Sequence, residues 1–228
     1  MSLFQNRKAV LIDLDGTLVD SVPDLAYAID QMMLQLAMPA RGIAAVTEWV
    51  GNGIERLVKR ALVNSMEGEP SDALFQKALP LFEVAYAANN GKLSCLYEGV
   101  EIGLNYLHQQ GYRLACVTNK PIAFAQPLLA VMGIADFFHV TIGGDQVSRR
   151  KPDPQPLLMA AEKLGVDPRQ VIMLGDSIND VMAARGAGMP IICVSYGYNY
   201  GQDIRGQERH SHHPDAVINS FVELKTLI

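Results

Sequence analysis

The chain has 228 residues, 49% hydrophobic and 19% charged, with a formal net charge of −5. That length buries a full core without disulfide or metal staples, and the acidic balance disfavours a nucleic-acid partner, which requires concentrated Lys and Arg. No apolar run reaches the ~20 residues of a membrane-spanning helix, and the polar opening, residues 1–8, does not read as a signal peptide.

In chain order, Ala9, Val10, Leu11 and Ile12 form the short continuous apolar run of a strand buried on both faces. Side chains two apart on an extended chain share a side, so Asp13 and Asp15 are expected together where the strand gives way to Gly16. At about 4 Å and an effective dielectric of about 20, two such charges repel by roughly 4 kcal/mol. Keeping one carboxyl protonated offsets this, and so does a hard divalent cation between them. Asp before Gly is also ordinary turn chemistry.

Residues 22–36 carry Leu25, Ala26, Ile29, Met32, Met33 and Leu36 at helical spacing, with Pro23 suited to the first turn. Shorter helices are expected at 44–50 and 54–63, separated by Gly51-Asn52-Gly53, and a longer one at 72–88 after a loop at 67–71. No strand is read between residues 20 and 90. From Tyr97 onward the pattern alternates: helix 99–110, strand 113–118, helix 122–132, strand 139–142, helix 154–164, strand 171–174, helix 178–187, strand 190–194 and a last helix 220–227. Strands separated by helix-length segments need crossovers, which give an α/β fold with a doubly wound, parallel, Rossmann-like sheet. The first strand belongs to that sheet, so the helical block is an insertion. The expected division is a core of 1–18 and 93–228 with a helical cap at 19–92, and an insertion leaving the sheet beside Asp15 can serve as a lid. Of the three cysteines, Cys116 and Cys193 lie in apolar runs and the number is odd, so reduced thiols and a cytoplasmic protein are expected.

In such sheets ligands sit outside the carboxyl ends of the strands. One strand runs into Thr118-Asn119-Lys120-Pro121, a hydroxyl with backbone N–H groups before a helix, which can cradle an oxyanion. Taken alone, Thr118 reads more readily as a helix cap than as a ligand, and its position after a strand shifts the balance. Arg149-Arg150-Lys151-Pro152-Asp153-Pro154 sets three cations in a segment stiffened by proline. Gly175-Asp176-Ser177-Ile178-Asn179-Asp180 adds two carboxylates at a strand-to-helix turn, and a helix cap explains only one of them. Asp13, Asp15, Asp176 and Asp180 together make an all-oxygen set that suits Mg²⁺ with a substrate phosphate completing its shell.

The ordered set Asp13-x-Asp15-Gly16-Thr17, Thr118, Lys151 and Gly175-Asp176-x-x-x-Asp180 resembles the haloacid dehalogenase superfamily, and the position of the helical insertion matches its capped members. Trp49-Val50-Gly51-Asn52-Gly53, Val117 to Pro121, Ile142-Gly143-Gly144-Asp145 and Tyr196-Gly197-Tyr198-Asn199-Tyr200-Gly201 are similar to the bacterial phosphoglycolate phosphatase subfamily. The resemblance implies a Mg²⁺-dependent phosphatase of a small phosphomonoester, with 2-phosphoglycolate the first expectation. It makes Asp13 the nucleophile that forms an aspartyl-phosphate and Asp15 the general acid and base. Thr118 and the N–H of Asn119 bind phosphate oxygens, and Lys151 balances charge. Asp176 ligates Mg²⁺ with Asp13 and the Asp15 carbonyl, and Asp180 supports from close by. A sugar phosphomutase or another capped phosphatase is the alternative within the superfamily. A signalling receiver also holds an aspartyl-phosphate, but it has no use for Asp15 as an acid or for a helical lid.

In the cap, Asn52 and Gly53 are expected to face the leaving group, and Arg60, beside Arg56 and Lys59, is the expected partner of a substrate carboxylate; a solvated helix face explains the three cations equally well. Residues 202–214, with Arg205, Arg209, His210, His212 and His213, depart from the subfamily pattern and receive no role.

Overall fold

The computed structural model describes residues 3–206 and 213–228. It opens with β1 (Ala9–Ile12) and β2 (Val19–Asp20), followed by α1 (Val22–Gln35), α2 (Gly42–Trp49), α3 (Ile54–Val63) and α4 (Asp72–Asn89). After β3 (Cys95–Leu96) come α5 (Val100–Gln109), β4 (Arg113–Val117), α6 (Ile122–Val131), β5 (Val140–Ile142), α7 (Gln155–Leu164), β6 (Val171–Gly175), α8 (Ile178–Ala187), β7 (Ile191–Val194), β8 (Ala216–Ile218) and α9 (Leu224–Leu227). The fold is the doubly wound α/β architecture with a helical insertion.

Six strands form one parallel sheet in the order β5-β4-β1-β6-β7-β8. The apolar run of β1 occupies the middle, where both faces are covered. Ala9 and Leu11 pack with α7 and α8 through Leu157, Ala161, Val181 and Ala184. Val10 and Ile12 pack on the opposite layer, with Leu104, Leu107, Leu128 and Phe221. The chain winds from β1 to β4 and β5 on one side and then returns to β6, β7 and β8 on the other, so the crevice for a ligand opens beside β1.

The four inserted helices have a core of their own. Leu25, Ile29 and Met32 of α1 meet Trp49, Leu57, Val58, Phe82 and Tyr86. The chain enters and leaves this block through an antiparallel ribbon, Val19 opposite Leu96 and Asp20 opposite Cys95. These two-residue strands have no legible period, which is why the sequence reading passes over them. The exit is clamped by Asp24, fully buried on α1. Its carboxylate accepts from the N–H groups of Gly91, Leu93 and Ser94, from Asn89 Nδ2 and from the Ser94 hydroxyl.

Two further readings change. The expected helix at 220–227 is a 3₁₀ turn, Phe221–Glu223, leading into the single turn of α9, and Ala216–Ile218 form an edge strand too short to read. Among the described residues no helix is long and apolar enough to cross a membrane. Cys116 and Cys193 are buried and Cys95 is exposed on the ribbon, all three as free thiols. Arg209, His210 and His212 lie outside the described residues; the His213 carbonyl accepts from Arg185 Nη2 at 2.6 Å.

Candidate active site

The site stands on the carboxyl ends of β1, β4 and β6. Directly after β1, Asp13 is buried with a carboxylate oxygen 2.8 Å from Lys151 Nζ. Burial pushes its carboxyl up to about 7, with Lys151 pulling the other way and Asp180 adding to the rise. Lys151 is buried too; its ammonium donates to Val117 O at 2.8 Å and Asp180 Oδ1 at 2.7 Å and forms an ion pair with Asp13. Burial alone would lower that ammonium, but the two carboxylates outweigh it and hold the charge. Lys151 is therefore fixed in place as the counter-charge of two acids.

The turn after β6 separates the roles of its carboxylates. Asp180, at the third position of α8, accepts from the N–H and O–H of Ser177 and the N–H of Asp176 while holding Lys151. It caps the helix and anchors the cation. Asp176 accepts from Thr17 Oγ1 at 3.1 Å and Tyr198 N at 2.8 Å. Burial, then Asp180 and Asp13, push its carboxyl well above the ordinary range. Gly16 (φ +87°) and Gly197 make room here, since a Cβ at either would collide with the Asp176 carboxylate.

Asp13, Asp176 and Asp180 each offer an oxygen within 4.8 Å of the others. The Asp15 carboxylate does not join them. β1 ends at Ile12 and the chain bends at Leu14, so the two-residue alternation stops before Asp15. Its oxygens turn to Ser21 Oγ at 2.5 Å and to Lys120 Nζ at 2.7 and 2.8 Å.

Thr118 is buried, and its hydroxyl accepts from Lys120 N at 3.1 Å rather than capping α6, whose cap is Pro121. Asn119 Nδ2 donates to Gly51 O of the cap and to Lys151 O, both at 2.9 Å, which ties three segments together. Gly51 and Gly53 line the pocket over Asp13 and Asp15, with Val50, Ile54, Leu57 and Leu25 from the cap. Asn52 instead turns its Oδ1 to the Tyr200 hydroxyl, 3.0 Å away. Arg60 is not brought to the pocket: its guanidinium donates to Trp49 O at 2.7 Å and Met66 O at 3.3 Å and stacks over the Tyr200 ring.

Sequence reasoning passes over three residues that the structure places at the site. Lys120 stands in a motif read for its neighbours. Tyr198 links Asp176 to the cap entrance, its hydroxyl accepting from the N–H groups of Ser21 and Val22 and donating to Asp20. Asn179 Nδ2 reaches Gly51 O at 3.2 Å and the Tyr200 hydroxyl at 2.5 Å. The repeated tyrosines of 196–201 are the visible signal, but nothing in the sequence says which surface they bridge.

Residues 7–188 match the family model of the haloacid dehalogenase-like hydrolases. The chain belongs to this family. It is 52% identical over 226 residues, 99% of this chain and 98% of the relative, to a protein of Nitrosococcus oceani named phosphoglycolate phosphatase. It is 43% identical over 221 residues, 97% of this chain and 95% of the relative, to one of the same name from Nitrosospira multiformis. The crystal structure of a predicted phosphoglycolate phosphatase from Haemophilus somnus superposes with a TM-score of 0.89 at 35% identity, covering 99% of this chain and 98% of that one. Family, fold and relatives make this haloacid dehalogenase-like hydrolase a phosphoric monoester hydrolase.

Proposed function

We propose that the chain hydrolyses 2-phosphoglycolate with Mg²⁺, through an aspartyl-phosphate on Asp13. The observation that carries this reading is the buried Asp13 carboxylate, held by Lys151 within reach of Asp176 and Asp180. The donor set fits a hard divalent cation: it is all oxygen, and burial leaves Asp13 and Asp176 short of compensating positive charge. Asp13 and Asp176 would hold the ion, with Asp180 behind them, and the bound ion would draw charge from the phosphoryl oxygens.

An Asp13 carboxylate oxygen forms a bond to phosphorus as the bond to the leaving oxygen breaks, which divides one hydrolysis into two displacements. Asp15 gives its proton to the departing alkoxide, then takes one from the water that cleaves the aspartyl-phosphate. Thr118 and the N–H of Asn119 bind phosphoryl oxygens, and Lys151 keeps Asp13 aimed and its charge balanced. The inserted residues 19–92 act as the lid: Gly51, Val50 and Ile54 stand over the two aspartates and exclude water. The buried free thiols of Cys116 and Cys193 support a cytoplasmic setting.

The test is a panel of small phosphomonoesters with Mg²⁺ or with a chelator. Preference for 2-phosphoglycolate, loss of turnover on chelation, and a fall of at least about a thousandfold in kcat for Asp13→Asn with the fold intact are expected. Turnover by Asp13→Asn near the parent rate would remove Asp13 as nucleophile.

A further inference from the structure

The site has two lobes that share Asp13, Asp15, Val50 and Gly51. One gathers Lys151, Asp176, Ser177 and Asn179. The other runs from Thr118 and Asn119 to the underside of the cap, where Leu25, Ile54 and Leu57 supply apolar walls and Lys120 supplies a cation. Its cavity of about 40 Å³ holds only a few non-hydrogen atoms, since one ordered water takes about 10–15 Å³ on the same measure. Only a short group fits there beside the phosphoryl group that Thr118 and Asn119 hold.

Lys120 brings an ammonium, paired with Asp15, to these apolar walls. Lys120 has a side chain only 2% exposed and sits 5.1 Å over the ring of Tyr86. Burial alone would lower it, yet Asp15 outweighs that and keeps it charged. Asp15 accepts from the Lys120 ammonium at 2.7 and 2.8 Å, and the Tyr86 hydroxyl also helps to hold the charge. Several other cations of cap and core are committed elsewhere: Arg60 to the carbonyls of Trp49 and Met66, Arg56 and Lys59 to Glu69 on the outer surface, and Arg150 to Gly144 O and Glu55. Lys151 is committed in the first lobe to Val117 O, to Asp180 and to its ion pair with Asp13.

We infer that Lys120 is the specificity-determining residue, binding the carboxylate of a short anionic leaving group in the lobe beneath the cap. This rests on the reading of the site as one for a phosphorylated hydroxy acid. Apolar walls distinguish a methylene by only about 1–3 kcal/mol, so they cannot by themselves select a charged substrate. A charge-assisted hydrogen bond in a dry lobe can, and Lys120 is placed beside Asp15, where the leaving oxygen must be protonated.

The experiment compares kcat/KM for carboxylated esters and their uncharged counterparts, 2-phosphoglycolate with ethyl phosphate and phospholactate with isopropyl phosphate, in the parent, Lys120→Met and Lys120→Arg. Lys120→Met is expected to lose about 10- to 150-fold more on each carboxylated ester than on its counterpart, chiefly in KM, and Lys120→Arg to recover part of the difference. An equal loss on both members of each pair overturns the inference and leaves the phosphoglycolate reading standing. A parent that prefers phospholactate, with the preference for carboxylates erased in Lys120→Met, sustains the inference and overturns phosphoglycolate as substrate. A parent indifferent to carboxylates overturns both. Should Lys120→Met fail to fold, Lys120→Gln, which keeps a donor for Asp15, carries the same comparison.

Discussion

In the sheet core, Asp13, Thr118, Asn119 and Asp176 all come from the first or second residue after a strand, and the backbone of the sheet sets their spacing. The cap offers the same site apolar side chains and the carbonyl of Gly51, which accepts from Asn119 and Asn179. The difference follows from what each region has to hold. Buried like charges are tolerable only where several partners fix them together, and strand ends provide that. A lid needs shape and dryness, which helices packed on their own apolar core supply without any charged motif.

Lys151→Met breaks the comparison hardest on the core side. It leaves Asp13 and Asp180 buried without their cation, which is expected to cost about 3–5 kcal/mol of stability in the metal-free protein together with nearly all turnover. Chemical denaturation and phosphate release measure the two; a loss of turnover with unchanged stability would show that Lys151 matters only once substrate is bound.

Metal removal sharpens the contrast next. With its carboxyl pushed up to about 7 from the ordinary 3.8, Asp13 in the folded, metal-free chain holds a proton that the unfolded chain has already released. The metal-free protein therefore loses stability as pH rises from about 4 to about 7. Mg²⁺ is expected to raise Tm little at pH 5 and most above pH 7. An equal rise at both, in melts with and without chelator, would mean that the ion does not neutralise Asp13.

The smallest effect is on the cap side. Asp24→Ala strands the N–H groups of Gly91, Leu93 and Ser94, an expected cost of about 1–3 kcal/mol. Because Asp24 lies at the cap exit, hydrogen exchange should rise in α1, α4 and the ribbon while β1, β4 and β6 stay protected. Uniform loss of protection would mean that cap and core unfold as one unit.

Local chemistry alone determined much of this protein. The apolar run of β1, the alternation of strands and helices after Tyr97, and the polar residues that end each strand already require a parallel sheet with its site at the carboxyl ends, because backbone pairing and burial act over a few residues. The carboxylate cluster of Asp13, Asp176 and Asp180 follows from that topology. What only the tertiary structure decided are choices among chemically equivalent candidates. Period-two spacing puts Asp15 beside Asp13, yet the bend at Leu14 turns it to Lys120 and Ser21. Helical spacing gives Arg60 a face but not a partner, and the fold commits it to Trp49, Met66 and the Tyr200 ring. Lys120 and Arg60 carry the same charge in the sequence; their surroundings differ because the segments that enclose them, α4 over Lys120 and the 196–201 loop over Arg60, are remote along the chain and meet only when cap and core pack together.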